Sequence, residues 1–140
     1  MNTYTYEEIT IGQKVEFAAS ITAEQMDLFR GITGDENPLH TSAEFAKGKG
    51  FSDRVVYGML TASFLSTLAG MYLPGERSLI QQVEVKNTSP LLLCNAGNLR
   101  VRGEVIEKND TFSRITVKVT IADAAGNKVL RGKMQVLMQK

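Results

Sequence analysis

Between Arg54 and Glu76 the chain carries no charged side chain, and this stretch limits the fold more than any other. A helix over residues 57–73 would have no charged face to offer water, so it must be covered on most sides. Its length borders on that of a membrane span, but Gly58, Thr61, Ser63, Ser66, Thr67, Gly70 and Pro74 interrupt it. The reading is therefore a helix buried in a globular core, ended by Pro74-Gly75. At 1.5 Å per residue it would be roughly 25 Å long, enough to cross a small domain.

What covers that helix is legible further along. Residues 79–86, 98–107, 112–122 and 128–138 change to a period of two and read as strands. Ile115, Val117, Val119 and Ile121 alternate with Thr116, Lys118 and Thr120, which gives one buried face. Asn109-Asp110 and Ala125-Gly126-Asn127 are turn sequences that join the last three strands as an antiparallel meander. Ahead of the long helix, residues 14–20 read as a strand. Thr22-Ala-Glu-Gln25 is a capping box that starts a helix over residues 23–30, with Met26 and Phe29 facing inward and Gly31 and Gly34 breaking it. Residues 35–41 read as irregular, because Pro38 lacks a backbone N–H and disfavours helix at Asn37. Residues 42–47 suggest a short helix ended by Gly48 and Gly50. The fold class is α+β, an antiparallel sheet wrapped around a long central helix.

Composition excludes more than it selects. The 140 residues fit one domain, and 43% apolar with 22% charged residues argues against disorder. Sixteen Lys and Arg against fifteen Asp and Glu leave a net charge of +1, with no global pull toward nucleic acid or a membrane surface. One cysteine, Cys94, allows no intrachain disulfide, and one histidine allows no multi-histidine metal site within a chain. No cofactor or metal is implied. The first residues have neither a basic region nor an apolar run, so a secretory leader is not expected and the location reads as cytoplasmic.

The stretch Gly34-Asp35-Glu36-Asn37-Pro38-Leu39-His40 carries the most chemistry. On a helix, Asp35 and His40 would sit about 140° apart; the proline and glycines free the loop to bring both to one spot. A carboxylate beside an imidazole forms an acid–base pair. Asp35 alone reads first as a turn former, and a lone histidine as a packed or surface residue, so spacing by itself does not select the catalytic reading. At the start of the long helix, Gly58 either relieves crowding or exposes its amide at the positive end of the helix, where an oxyanion would bind. Ser66, a little over two turns on, is a small packing residue or a hydroxyl that orients Asp35. Lys47, Lys49 and Arg54 are solvated charges or contacts to a phosphate-bearing carrier. Cys94 has nothing that orders it against His40 and reads as an incidental thiol.

Residues 29–40, FRGITGDENPLH, followed by Tyr57-Gly58-Met59-Leu60, closely resemble the MaoC-like dehydratases, and within them the (R)-specific enoyl-CoA hydratases. The resemblance covers almost the whole chain and implies a single hot-dog domain over residues 1–140. It implies that Asp35 and His40 are the catalytic dyad, that the Gly58 amide binds the thioester oxygen, and that Asn37 and Ser66 support the dyad. It further implies an acyl-CoA or acyl-carrier-protein thioester as substrate and a homodimer as the assembly. Hydration of an enoyl thioester, or the reverse dehydration, is the activity that follows; a non-catalytic acyl-thioester-binding module is the alternative. One departure stands out: the family commonly has histidine where this chain has Tyr57, which bears on pocket shape.

Overall fold

The computed structural model describes residues 1–140. In chain order it has β1 (Lys14–Ala19), α1 (Ala23–Thr33), α2 (Pro38–Thr41) and α3 (Ala43–Gly48). A helical run follows, made of α4 (Gly58–Ala62), α5 (Phe64–Thr67) and a π-helical turn, Leu68–Tyr72. The chain ends with β2 (Ser78–Asn87), β3 (Leu99–Asn109), β4 (Arg114–Ala122) and β5 (Lys128–Met138). The five strands form one sheet in the order β1-β3-β4-β5-β2, with every neighbouring pair antiparallel.

Local chemistry sets the element ends. Thr22 accepts from the Gln25 N–H at 3.2 Å while Gln25 Oε1 accepts from the Thr22 N–H at 2.9 Å, the reciprocal cap that starts α1. Gly31 does not break α1, contrary to the sequence expectation. A glycine inside a helix costs only about 1 kcal/mol, and the helix runs on to Gly34, whose φ of 72° closes it with an N–H bond to Arg30 O. The expectation of an irregular 35–41 segment holds for residues 35–37 and is corrected for Pro38–Thr41. Pro38 opens α2 at its first position, where a missing N–H has no intrahelical partner anyway, and Asn37 Oδ1 caps it by accepting from the Leu39 N–H.

The uncharged helix is present but is not one regular rod. Ser63 Oγ donates to Leu60 O at 2.6 Å, competing with the backbone ladder and separating α4 from α5. At the far end the Leu73 N–H reaches back five residues to Leu68 O, widening the last turn. Leu73 itself is extended (φ −144°), as a residue ahead of proline prefers to be. No helix is long and apolar enough to cross a membrane.

Leu65, Leu68, Ala69 and Leu73 are buried against the inner face of the sheet. That face is built from Leu99, Val101 and Val105 on β3, from the four alternating residues of β4, and from Leu130, Met134 and Val136 on β5. Gly103 leaves the gap that Leu68 fills: a Cβ there would lie 3.0 Å from both Leu68 δ-carbons. One core cluster of 23 buried residues results. Burying a Val, Leu or Ile contributes roughly 1.5–3 kcal/mol before entropy, whereas exposed ion pairs give about 0–1 kcal/mol. Every ion pair in this chain is at least 30% exposed on both sides, so packing dominates. The sheet curled over one helical run is the hot-dog fold, as the sequence led us to expect.

Candidate active site

Four elements converge beside the start of α4. The end of α1 brings Phe29 and Thr33; the capped loop brings Asp35; α2 brings His40; and Tyr57, Gly58 and Met59 lead into the helical run. With Asn87 at the end of β2, they line an open hollow of about 580 Å³. A second hollow of about 280 Å³ adjoins it and shares His40, Gly58 and Asn87. Val55, Val56, Leu91 and Val129 give it an apolar side, and Thr61, Thr88 and Ser89 a polar one. The kinked loop and the start of α4 thus set Asp35, His40 and Gly58 around one hollow.

Local hydrogen bonds shape the loop. Asp35 Oδ1 accepts from the Asn37 N–H at 3.0 Å, and the Asp35 N–H donates to Thr33 Oγ1 at 3.2 Å. Asn37 therefore serves twice, its N–H orienting the Asp35 carboxylate and its side chain capping α2. Arg30 pairs with Glu36 across the same loop. His40 is half-buried, and its Nδ1 lies 2.7 Å from Val55 O. A carbonyl can only accept, so Nδ1 holds the ring proton and Nε2 is left as the basic nitrogen of the neutral imidazole.

Gly58 is the first residue of α4, so its N–H has no carbonyl one turn earlier to bond. Its missing side chain matters for space. A Cβ would lie 2.6 Å from Asn87 Nδ2 and 3.1 Å from Asn87 Cγ. Asn87 is the residue the sequence reading missed; it ends an edge strand just before Thr88-Ser89-Pro90, and nothing in the sequence marks it apart from a turn-former. Gly58→Ala should leave folding nearly unchanged, because the exposed Asn87 amide can swing aside. The methyl group would nonetheless narrow the junction of the two hollows, and turnover should fall by up to about 10²-fold, the cost of an ångström of misplacement. A thermal melt beside a steady-state assay separates the two effects.

Tyr57 is buried, at 3% exposure. Its hydroxyl donates to the Asp35 backbone carbonyl at 2.7 Å. Its ring lies 4.2 Å from the His40 ring and 4.9 Å from Phe29. Burial first, and then the nearby Asp35 charge, push the phenol's pKa above its ordinary value, so it stays a protonated donor.

Other residues singled out in the sequence lie elsewhere. Ser66 is exposed on α5 and lines neither hollow. Eight residues place it about 80° round from Gly58, and the break at Ser63 lies between them, so it does not reach Asp35 within one chain. Lys47, Lys49 and Arg54 border neither hollow, and the Lys49 ammonium sits over the Phe45 ring. Cys94 is exposed in a separate hollow with Asn95 and Asp123, away from His40.

A carboxylate, a basic imidazole nitrogen and an unpaired amide around one hollow can activate a water and stabilise an oxyanion opposite it. Comparison with known proteins bears on that chemistry. The "(R)-specific enoyl-CoA hydratase" of Rhodospirillum rubrum is 30% identical over 135 residues, 95% of this chain and 90% of that protein. The structure of the R-hydratase PhaJ1 from Pseudomonas aeruginosa in the unliganded form superposes with a TM-score of 0.88 at 30% identity, covering 96% of this chain and 85% of that one. The (R)-hydratase from Aeromonas caviae involved in PHA biosynthesis gives the same TM-score at 26% identity, over 94% of this chain and 98% of that one. The family model described as "MaoC like domain" matches residues 7–126 and takes in every residue around the two hollows except Val129; the chain belongs to the MaoC-like domain family.

Proposed function

We propose that this chain is a hydro-lyase that adds water to trans-2-enoyl-CoA thioesters, giving (R)-3-hydroxyacyl-CoA, or runs the reverse dehydration. The observation that supports it most is the shared hollow: Asp35, His40, whose Nδ1 is held by Val55 O, and Gly58 all border it. The names of the relatives supply the substrate class and the stereochemistry. Residues 1–140 act as one domain around the single core, and the lone free thiol suits a reducing cytoplasm.

Charge dictates the mechanism. The Gly58 N–H polarises the thioester carbonyl and leaves C3 electrophilic. Asp35 and His40 hold a water over C3, and the imidazole takes one of its protons as oxygen bonds to C3. The resulting enolate charge rests against Gly58, and a proton returned from the pair to C2 completes the addition. The proton taken from water and the proton given to C2 balance, so the pair ends the cycle as it began. Loss of the enoyl-thioester absorbance with crotonyl-CoA and longer enoyl-CoAs tests this reading. No loss with any CoA ester overturns it, and turnover of carrier-protein esters alone moves the substrate to that carrier.

We also propose a homodimer formed along β2. This strand is an edge, bonded only to β5, and its Leu79 and Val83 are each 47% exposed. Met59, beside the hollow, is 69% exposed. Edge lysines block strand-to-strand pairing, so Val83→Lys should convert a dimeric sedimentation profile to a monomeric one. A wild-type protein that already sediments as a monomer at micromolar concentration would refute the dimer.

A further inference from the structure

We infer that Tyr57 is a positioning residue that sets both members of the Asp35–His40 pair at once, through its hydroxyl on one and its ring on the other. The inference rests on the proposed hydratase reading for its kinetic arm, but its geometry stands independently. Residues 31–38 are all exposed, so packing does little to fix the loop that presents Asp35. The other bonds on Asp35 come from Thr33 and Asn37, two residues away on either side, and they move with the loop. The Tyr57 hydroxyl is different. It joins the Asp35 backbone to a buried residue at the head of α4, 22 positions along the chain.

The same side chain meets the other partner. The His40 ring stacks on Tyr57 at 4.2 Å with 30° between planes, while Nδ1 is held by Val55 O. Two contacts therefore set the imidazole plane, and with it the direction of the Nε2 lone pair. Phe29 backs the phenol from the α1 side, so Tyr57 has little freedom to rotate away. Raised by burial and by the Asp35 charge, the phenol's pKa keeps it a donor throughout neutral pH. Phenylalanine would keep the stack and lose the tie to Asp35; leucine would lose both.

His40 is the only histidine, so imidazole resonances in a nitrogen-15 spectrum report it without ambiguity. In Tyr57→Phe the His40 ring signals should stay close to wild type, the amides of residues 34–36 should shift, and kcat should fall about 10- to 100-fold with KM within about twofold, as expected when a reacting group is misplaced without loss of binding. In Tyr57→Leu the His40 ring protons should also lose their upfield ring-current shift. An unchanged kcat in Tyr57→Phe, or His40 signals that do not move in Tyr57→Leu, would overturn the inference. If the wild-type protein hydrates no enoyl thioester, the functional reading fails by itself. The Asp35 and His40 resonances then decide the positioning role, and resonances unmoved in both variants overturn it.

Discussion

Asp35→Asn and His40→Gln should each lower turnover of enoyl-CoA by about 10²–10⁴-fold, the range a positioned acid–base group supplies. Neither change should unfold the protein, because Asp35 is exposed and His40 only half-buried. Asparagine keeps an oxygen that can accept from the Asn37 N–H, and glutamine approximates the imidazole's length while supplying no basic nitrogen. The double variant should be scarcely slower than the worse single variant, since groups that act on one water lose their function together. Steady-state rates on the four proteins, with melting curves alongside, make the comparison. Two independent losses that multiply would mean that Asp35 and His40 do not share a step.

The largest effect on stability should come from Gly132→Ala. Gly132 pairs with Val119 on one side and Val85 on the other, in the middle of β5. An added Cβ would fall 2.0 Å from Glu84 O and 2.9 Å from Val85 Cα. Those are backbone atoms of a paired strand and cannot rotate away like a side chain, so β2 would have to lift from β5. Overpacking usually costs about 1–3 kcal/mol, and a clash with fixed backbone belongs at or above the top of that range. With a urea dependence of roughly 1–3 kcal/mol per molar, the unfolding midpoint should drop by about 1 M or more. Gly75→Ala provides a second case. Its Cβ would sit 1.9 Å from Asn2 O and its φ is +101°, and Asn2 is tied to Met71 O, Tyr72 O and the Glu76 N–H, so stability should fall here too. Gly31→Ala, with open space around it inside α1, should stabilise by about 0.5–1 kcal/mol. Equal midpoints for Gly132→Ala and wild type would contradict the packing described here.

The sheet was legible because its signal is local and repetitive. Alternation across Ile115–Ile121 announces one buried face whatever lies opposite, and those four residues are fully buried. The helix start at Thr22 was equally readable, since both halves of the cap are within four residues. What escaped were competitions between local preferences and packing. Gly31 reads as a breaker, yet the helix passes through it at modest cost. Ser63 reads as one more small residue, yet its hydroxyl divides the long helix. At the site, the loop motif carried Asp35 and His40 because both lie in one short stretch. Asn87 and the double contact of Tyr57 depend on which distant strand and loop meet the helix start, and no spacing in the sequence encodes that meeting.

The strand order has a consequence for synthesis. β2 bonds only to β5, so the segment ending in Asn87 stays unpaired until residues 128–138 have left the ribosome. β1, β3 and β4 can zip together earlier, as can the loop that holds Asp35 and His40. The wall that Asn87 gives to both hollows is therefore the last part to be closed during translation. A nascent chain stalled before β5 would hold Asp35 and His40 in an open, half-built cleft.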